Sequence, residues 1–373
     1  MILGAFLVAS ASGLVQHDSI RDRLYVQAEL TWYGSGSARD MSNRLVRTDA
    51  IRRLGFGGTR LPFEWPGIEA ERGRRDWART DSVLSELERD SLAAYGLITY
   101  SPKWAVPVAY ALMPRIAAHR PVVDGSSARG DTLFAAFAAA AARRYRGRID
   151  RWEIWNEENH PAFWMHVVNG TNRGADPADY TRLFSLARDS ILRANPQAQV
   201  VIGGLTSLNG FVRPAADPLD RTRELLPLSP QDYVKGLVAT GMRLDIVAIH
   251  PYSTVAPGIK PPGLAAAVFP DVVVDSVFAA LDQLGLRSTT AWVTEWGVNV
   301  TPGLSQDDVD SWFRVALTDL LCHPRISLVT IHALADANSK EHFGLLNPNG
   351  TATPNGKALS RVLREWRGCP TAR

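Results

Sequence analysis

Residues 151–157, RWEIWNE, mix large apolar side chains with polar ones and end on a carboxylate. A short run rich in Trp and Ile reads as a β-strand. Side chains on a strand alternate faces, so Glu153, Trp155 and Glu157 are expected on one face, with Glu157 at the C-terminal end. Seven further runs share this character: YVQAELTW (25–32), GFGGTRLPF (55–63), GLITYSP (96–102), VVIGGL (200–205), IVAIHPY (246–252), AWVTEWG (291–297) and ISLVTIHAL (326–334).

Longer Ala-, Leu- and Arg-rich stretches separate these runs and read as helices: 42–54, 76–94, 131–146, 178–194, 231–240, 270–284, 307–321 and 355–367. Strand alternating with helix eight times predicts an α/β fold, a single-domain (β/α)8 TIM barrel over residues 25–373. A doubly wound open sheet is the alternative. It would carry a Gly-rich phosphate loop after an early strand, whereas GFGG (55–58) precedes one. Barrel active sites are built from the loops that follow the strands. Here 158–177, 206–230 and 253–269 are long and rich in Pro, Gly and Asn.

A chain of 373 residues can bury a large core without covalent help. The net charge of +3 and the lack of like-charge runs argue against a nucleic-acid partner. No stretch reaches the roughly 18 apolar residues of a membrane span, and oligomeric state has no sequence signature. Residues 1–24 stand apart as an N-terminal segment. ILGAFLV (2–8) followed by ASASG has the apolar core and small-residue cleavage site of a secretory signal but lacks its basic start, and it reads equally as an extra strand.

Cys322 and Cys369 lack the His neighbours of a zinc site, so they are free thiols or one disulfide. Helices 307–321 and 355–367 follow consecutive strands and should be neighbours, which favours a bridge. A bridge implies an oxidising compartment, and with the signal reading it makes the protein a secreted or periplasmic bacterial one; without either, a cytoplasmic location stands.

Glu295 in VTEWG ends the seventh run as Glu157 ends the fourth, so the two carboxylates are expected to face each other across the barrel mouth. Glycosidic bond cleavage needs such a pair, one carboxyl protonated and one ionised. Different surroundings must hold them apart, and Arg60 on the second strand with the Tyr252 hydroxyl would keep Glu295 ionised. The eight His lack H-x-H or H-E-x-x-H spacing, so no metal is expected and no other cofactor is called for.

WEIWNE followed by VTEWG resembles the retaining glycoside hydrolases of clan A. LGFGGTRLPFEW, YGLITYSPKWA, DIVAIHPYS and FGLLNPNGTATPNGKAL fit that clan in order. Among its families the resemblance is to family 39, which includes β-xylosidases, α-L-iduronidases and short bacterial endoglycosidases. The resemblance implies a carbohydrate substrate with β-type linkages, Glu157 as acid/base and Glu295 as nucleophile. It also implies Asn156 on the sugar 2-hydroxyl, Arg60 supporting the nucleophile, and His250 and Tyr252 lining the catalytic subsite. The clan usually places a Trp at the end of the eighth strand; TIHALAD puts His332 there instead. The extra β-sandwich of longer family 39 xylosidases has no counterpart. The rival function is a non-catalytic carbohydrate-binding barrel, against which the intact Asn156, Glu157 and Glu295 speak.

Trp104, Trp164 and Trp296 are candidate sugar platforms, since an aromatic face suits the apolar side of a pyranose; with 11 Trp in the chain, packing is the competing role. Glu153 is expected to be a paired interior carboxylate, Glu158 a loop or rim residue. Glu64 and Trp65 are minor rim candidates. His250 reads equally as a core histidine.

Overall fold

Parallel strands of two to seven residues form the wall, in the positions that the apolar runs mark. The computed structural model describes residues 20–31, 47–105, 128–161, 163–164, 167–168, 171–172, 174–207, 227–252, 270–300, 304–336 and 342–369. In chain order the strands are β1 (Leu24–Gln27), β2 (Gly58–Glu64), β3 (Ala93–Thr99), β4 (Arg151–Ile154), β5 (Val167–Val168), β6 (Thr171–Asn172), β7 (Gln199–Ile202), β8 (Leu205–Thr206), β9 (Ile246–His250), β10 (Thr290–Trp296) and β11 (Ile326–Ile331). β5 and β6 make a small antiparallel hairpin after β4; the other nine form one sheet. Residues 1–19, and most of 206–230 and 253–269, lie outside the described residues.

The sheet order is β7-β4-β3-β2-β1-β11-β10-β9-β8, every pair parallel. Its two ends, β7 and β8, are successive pieces of one fifth barrel strand. The lower piece pairs with β4 and the upper with β9, so the wall returns on itself and the eight-stranded barrel is met. The break falls at Gly203–Gly204. A Cβ on Gly204 would stand 1.9 Å from His250 Nε2, and one on Gly203 would stand 2.0 Å from a Glu158 carboxylate oxygen. Only glycine admits the two neighbouring side chains at that point.

Helices cover the outside, and their ends follow local chemistry. Helix Pro177–Ala194 starts on Asp176, whose carboxylate accepts from the amides of Ala178 and Asp179, with Pro177 in the first turn. Its buried Tyr180, Leu183, Phe184, Ala187 and Ile191 recur at three- and four-residue spacing, the stripe that packs on the wall. Helix Gln306–Cys322 opens with a Ser305–Asp308 capping box. Its last residue, Cys322, is bonded to Cys369, with Cα atoms 5.3 Å apart, as the neighbouring-helix argument expects. Inside the barrel, Tyr95 packs against Tyr25 and Trp292 with the rings tilted at 60° and 58°, and the Tyr95 hydroxyl meets Thr330 at 2.8 Å. This filled floor leaves the C-terminal mouth as the place for chemistry. Among the described residues no helix is long and apolar enough to cross a membrane.

Candidate active site

Arg60, 1% exposed, rises from the middle of β2 into the barrel. Its Nε and Nη2 meet the two oxygens of Glu153 at 2.8 and 3.0 Å. Nη2 also reaches Asn156 Oδ1 at 2.9 Å, and Nη1 pairs with Glu295 and lies 3.3 Å from Gln27 Oε1. Three other barrel strands or their ends thus converge on one guanidinium. Glu153 is completely buried and accepts further from the Gly204 amide and the Thr294 hydroxyl, both at 2.9 Å. Its expected role as a paired interior carboxylate matches this environment.

β4 ends at Ile154, earlier than the 157 expected from the sequence, so strand alternation does not place Glu157. Trp155 and Glu157 instead adopt left-handed backbone, φ 73° and 52°. A bulky residue there costs roughly 1–3 kcal/mol and persists only when its surroundings hold it. Trp155 is held by a hydrogen bond from Nε1 to the Phe163 carbonyl and by edge contacts with Trp164 and Tyr100. The double turn brings the Glu157 carboxylate to 2.9 Å from His250 Nδ1.

Glu295, near the end of β10, accepts from the Tyr252 hydroxyl at 2.8 Å and lies 3.7 Å from His250 Nδ1. One oxygen of Glu157, one of Glu295 and a ring nitrogen of His250 all lie within 4.8 Å of one another. Burial alone would raise the Glu295 pKa. Electrostatic interactions with His250, Arg60 and His332 and the Tyr252 hydrogen bond outweigh it and bring the value down to about 2. Burial, and then the two neighbouring glutamates, push the Tyr252 phenol well up, so it remains a donor.

His332 joins this group through Tyr252 and Phe343, ring centroids 6.1 and 5.4 Å away. Trp104 is partly exposed, but its Nε1 is tied to the Glu69 carbonyl and its ring to the edge of Trp65. Two sugar-platform expectations are corrected. Trp164 and Trp296 are 1% and 0% exposed, packed on Trp155 and Tyr180 and on Phe313 respectively, and offer no face to a ligand. Glu158 is also no rim residue: it is wholly buried beside Gly203, and neither carboxyl oxygen has a full hydrogen bond. Burial, reinforced by Glu153 and Glu157, pushes its pKa well above the ordinary range, so it is neutral.

Four residues at the mouth escaped sequence reading. Gln27 and Glu29 end the first strand region, joined by a 2.6 Å hydrogen bond. Their polarity after an apolar run was the available signal. Tyr100, at φ 63°, stands where Glu64, Glu157 and Glu295 all raise its pKa after burial does. Thr294 touches both Glu153 and His250. Glu64 itself is pushed up to about 7 by burial and the Glu29 charge.

Glu157, His250 and Glu295 are spaced as a cation site would be. Their donor set does not fit one. Arg60 holds a permanent positive charge on Glu295, Tyr252 occupies its other oxygen, and His250 Nδ1 is engaged by Glu157.

No family model matches the chain. Among curated proteins it is 20% identical over 341 residues to endo-1,4-beta-xylanase 4 of Arabidopsis thaliana, covering 88% of this chain and 51% of that protein. The chain spans about half the length of the curated relatives it matches. Two solved structures superpose on most of it. A family 39 glycoside hydrolase from Bacteroides cellulosilyticus WH2 gives a TM-score of 0.60 at 19% identity, covering 92% of this chain and 64% of that one. The fold is that of the barrel glycoside hydrolases. Xylanase 10B from Thermotoga maritima gives 0.59 at 15% identity, covering 92% and 95%. Both likenesses bear on the barrel, and the expected barrel architecture is met.

Proposed function

We propose that this protein is a retaining glycoside hydrolase, with residues 25–373 as one catalytic barrel. Glu157 is the acid/base and Glu295 the nucleophile. The observation that carries this reading is that one oxygen of Glu157, in the turn after β4, and one of Glu295, near the end of β10, lie within 4.8 Å of each other beside His250. Retaining enzymes hold their carboxyls about 5–5.5 Å apart; inverting ones leave about 6.5–9.5 Å for a water. The low pKa of Glu295 suits a group that must be ionised to attack the anomeric carbon. Glu157 sits 2.9 Å from the His250 ring, a partner with which it can share a proton, suited to protonate the leaving oxygen and later to take a proton from water. Asn156, its oxygen turned to Arg60, has its amide N–H groups for the sugar 2-hydroxyl.

The relatives' names, xylanases among the curated proteins and among the solved structures, support β-linked xylan-type glycosides as the substrate class. The Cys322–Cys369 bridge supports an exported protein. The test is turnover of aryl β-xylosides, aryl β-glucosides and xylan, with the configuration of the first-formed product read by NMR. Retained configuration is expected. Inverted product, or oligosaccharide binding without turnover of any substrate, would overturn the reading.

A further inference from the structure

His250 bridges two groups of unequal demand. Nδ1 faces Glu157 at 2.9 Å and Nε2 faces the Thr294 hydroxyl at 3.1 Å. Thr294 has one proton to give, and its other neighbour is the Glu153 carboxylate at 2.9 Å. That carboxylate lies flat against the Arg60 guanidinium, so it is an acceptor and carries charge. A charged acceptor outbids a neutral ring nitrogen. The Thr294 proton therefore points to Glu153, and the Thr294 oxygen must accept from His250 Nε2–H.

With Nε2 protonated, the contact between Nδ1 and Glu157 needs a proton of its own. It holds one whichever side carries it: a carboxylic acid donating to Nδ1, or an imidazolium donating to a carboxylate. Loss of that proton would leave a nitrogen lone pair facing a carboxylate. We propose that Thr294 is a positioning residue, which fixes the His250 tautomer and thereby keeps the acid/base Glu157 supplied with its proton. The proposal rests on the reading of Glu157 as acid/base. It adds that the supply is set two hydrogen bonds away by a side chain that touches no substrate. Gly204 belongs to the same device, since any Cβ there would displace both His250 Nε2 and the Thr294 oxygen.

Other charged and titratable groups face the pair. Glu295 is 3.7 Å from Nδ1 and shares the single Arg60 charge with Glu153; it faces Nδ1, not Nε2. Tyr252 spends its proton on Glu295, and Tyr100 is held protonated by burial. His160 and the neutral Glu158 flank Glu157 in sequence; burial lowers the His160 pKa, so it adds no charge at neutral pH. None of these offers Nε2 an alternative acceptor.

Thr294→Val keeps the shape and removes the acceptor. The neutral ring can then carry its proton on Nδ1 and donate to an ionised Glu157, so the deprotonated pair is no longer penalised. The alkaline limb of kcat/KM should move down by roughly one pH unit, the tenfold change that one hydrogen bond makes. This should hold for an aryl xyloside with a poor leaving group. A dinitrophenyl xyloside needs no proton and should show no such shift. Thr294→Ser should restore the wild-type profile. Independently of turnover, nitrogen NMR of the 15N-histidine-labelled protein, assigned by difference from His250→Asn, reads the ring directly. At a pH between the two alkaline limbs, Nε2 should be protonated in the wild type and in Thr294→Ser, and unprotonated in Thr294→Val.

An unprotonated Nε2 in the wild type overturns the proposal even if the valine variant fails to fold. So does a valine variant with the wild-type limb, or one equally impaired on both substrates at every pH. A wild type inert toward all aryl glycosides would instead remove the hydrolase reading, and the spectrum would still decide the tautomer.

Discussion

Arg60 and Glu153 meet side-on inside the barrel, two parallel hydrogen bonds of 2.8 and 3.0 Å between a guanidinium and a carboxylate that are both almost wholly buried. The arrangement divides the work among the glutamates of residues 152–159. Glu153 anchors Arg60, which leaves Nη1 for Glu295. Glu157 faces His250. Glu158, turned away and neutral, packs behind.

Removing Arg60 should be costly in two ways. Arg60→Met leaves Glu153 and Glu295 buried without their counter-charge, a loss of roughly 3–5 kcal/mol for a broken buried pair. Chemical denaturation should register it. In whatever fraction folds, Glu295 loses a main cause of its low pKa, so the acid limb of kcat/KM should move to higher pH. A variant as stable as the wild type with an unmoved acid limb would contradict the role given to Arg60.

The bridge between Cys322 and Cys369 ties the tail to the end of the preceding outer helix. Closing a loop of this length stabilises the fold by roughly 4 kcal/mol in the chain-entropy account. Thiol titration of the unfolded, unreduced protein should find no reactive thiol, and Cys369→Ser should lower the unfolding midpoint. Two titratable thiols would remove the bridge.

Glu64 should make stability depend on pH in a defined window. Its folded pKa, pushed up to about 7, exceeds the roughly 4.3 of an unfolded glutamate. The folded chain therefore holds a proton that the unfolded chain has released. The stability it contributes is full below about pH 4 and is lost as pH rises to about 7. The Tm advantage of Glu64→Gln over wild type should grow across that interval and then level off. A constant difference from pH 4 to 8 would show that the folded pKa of Glu64 is not raised above its unfolded value.

Glu158→Gln should separate the adjacent glutamates. The wild-type side chain is already neutral and makes no full hydrogen bond, so the amide should leave kcat at neutral pH within about threefold. Loss of activity comparable to that of Glu157→Gln would mean that Glu158, not its neighbour, handles the proton.

The barrel was legible because each wall strand is a short apolar run and each covering helix a longer amphipathic one, patterns set by local periodicity. Glu157 and Glu295 were legible because a carboxylate at the end of an apolar run has few structural uses. The turn that aims Glu157 was not. Left-handed backbone at Trp155 and Glu157 is imposed by packing around the Trp155 ring, and neither residue type signals it. Burial of Trp164 and Trp296 likewise depends on which helix each ring meets. Thr294 could not be singled out, because its partners come from β4 and β9, far away in sequence.

The division of roles between Glu157 and Glu295 is tested most directly by the configuration of one product. Glu157→Ala keeps the nucleophile, so a dinitrophenyl β-xyloside should still form the glycosyl-enzyme, which then waits for a base to activate water. Azide needs no base and should enter from the side the leaving group vacated. NMR of the glycosyl azide should show retained, β configuration. An α-azide from this variant, or β-azide from Glu295→Ala instead, would contradict the account.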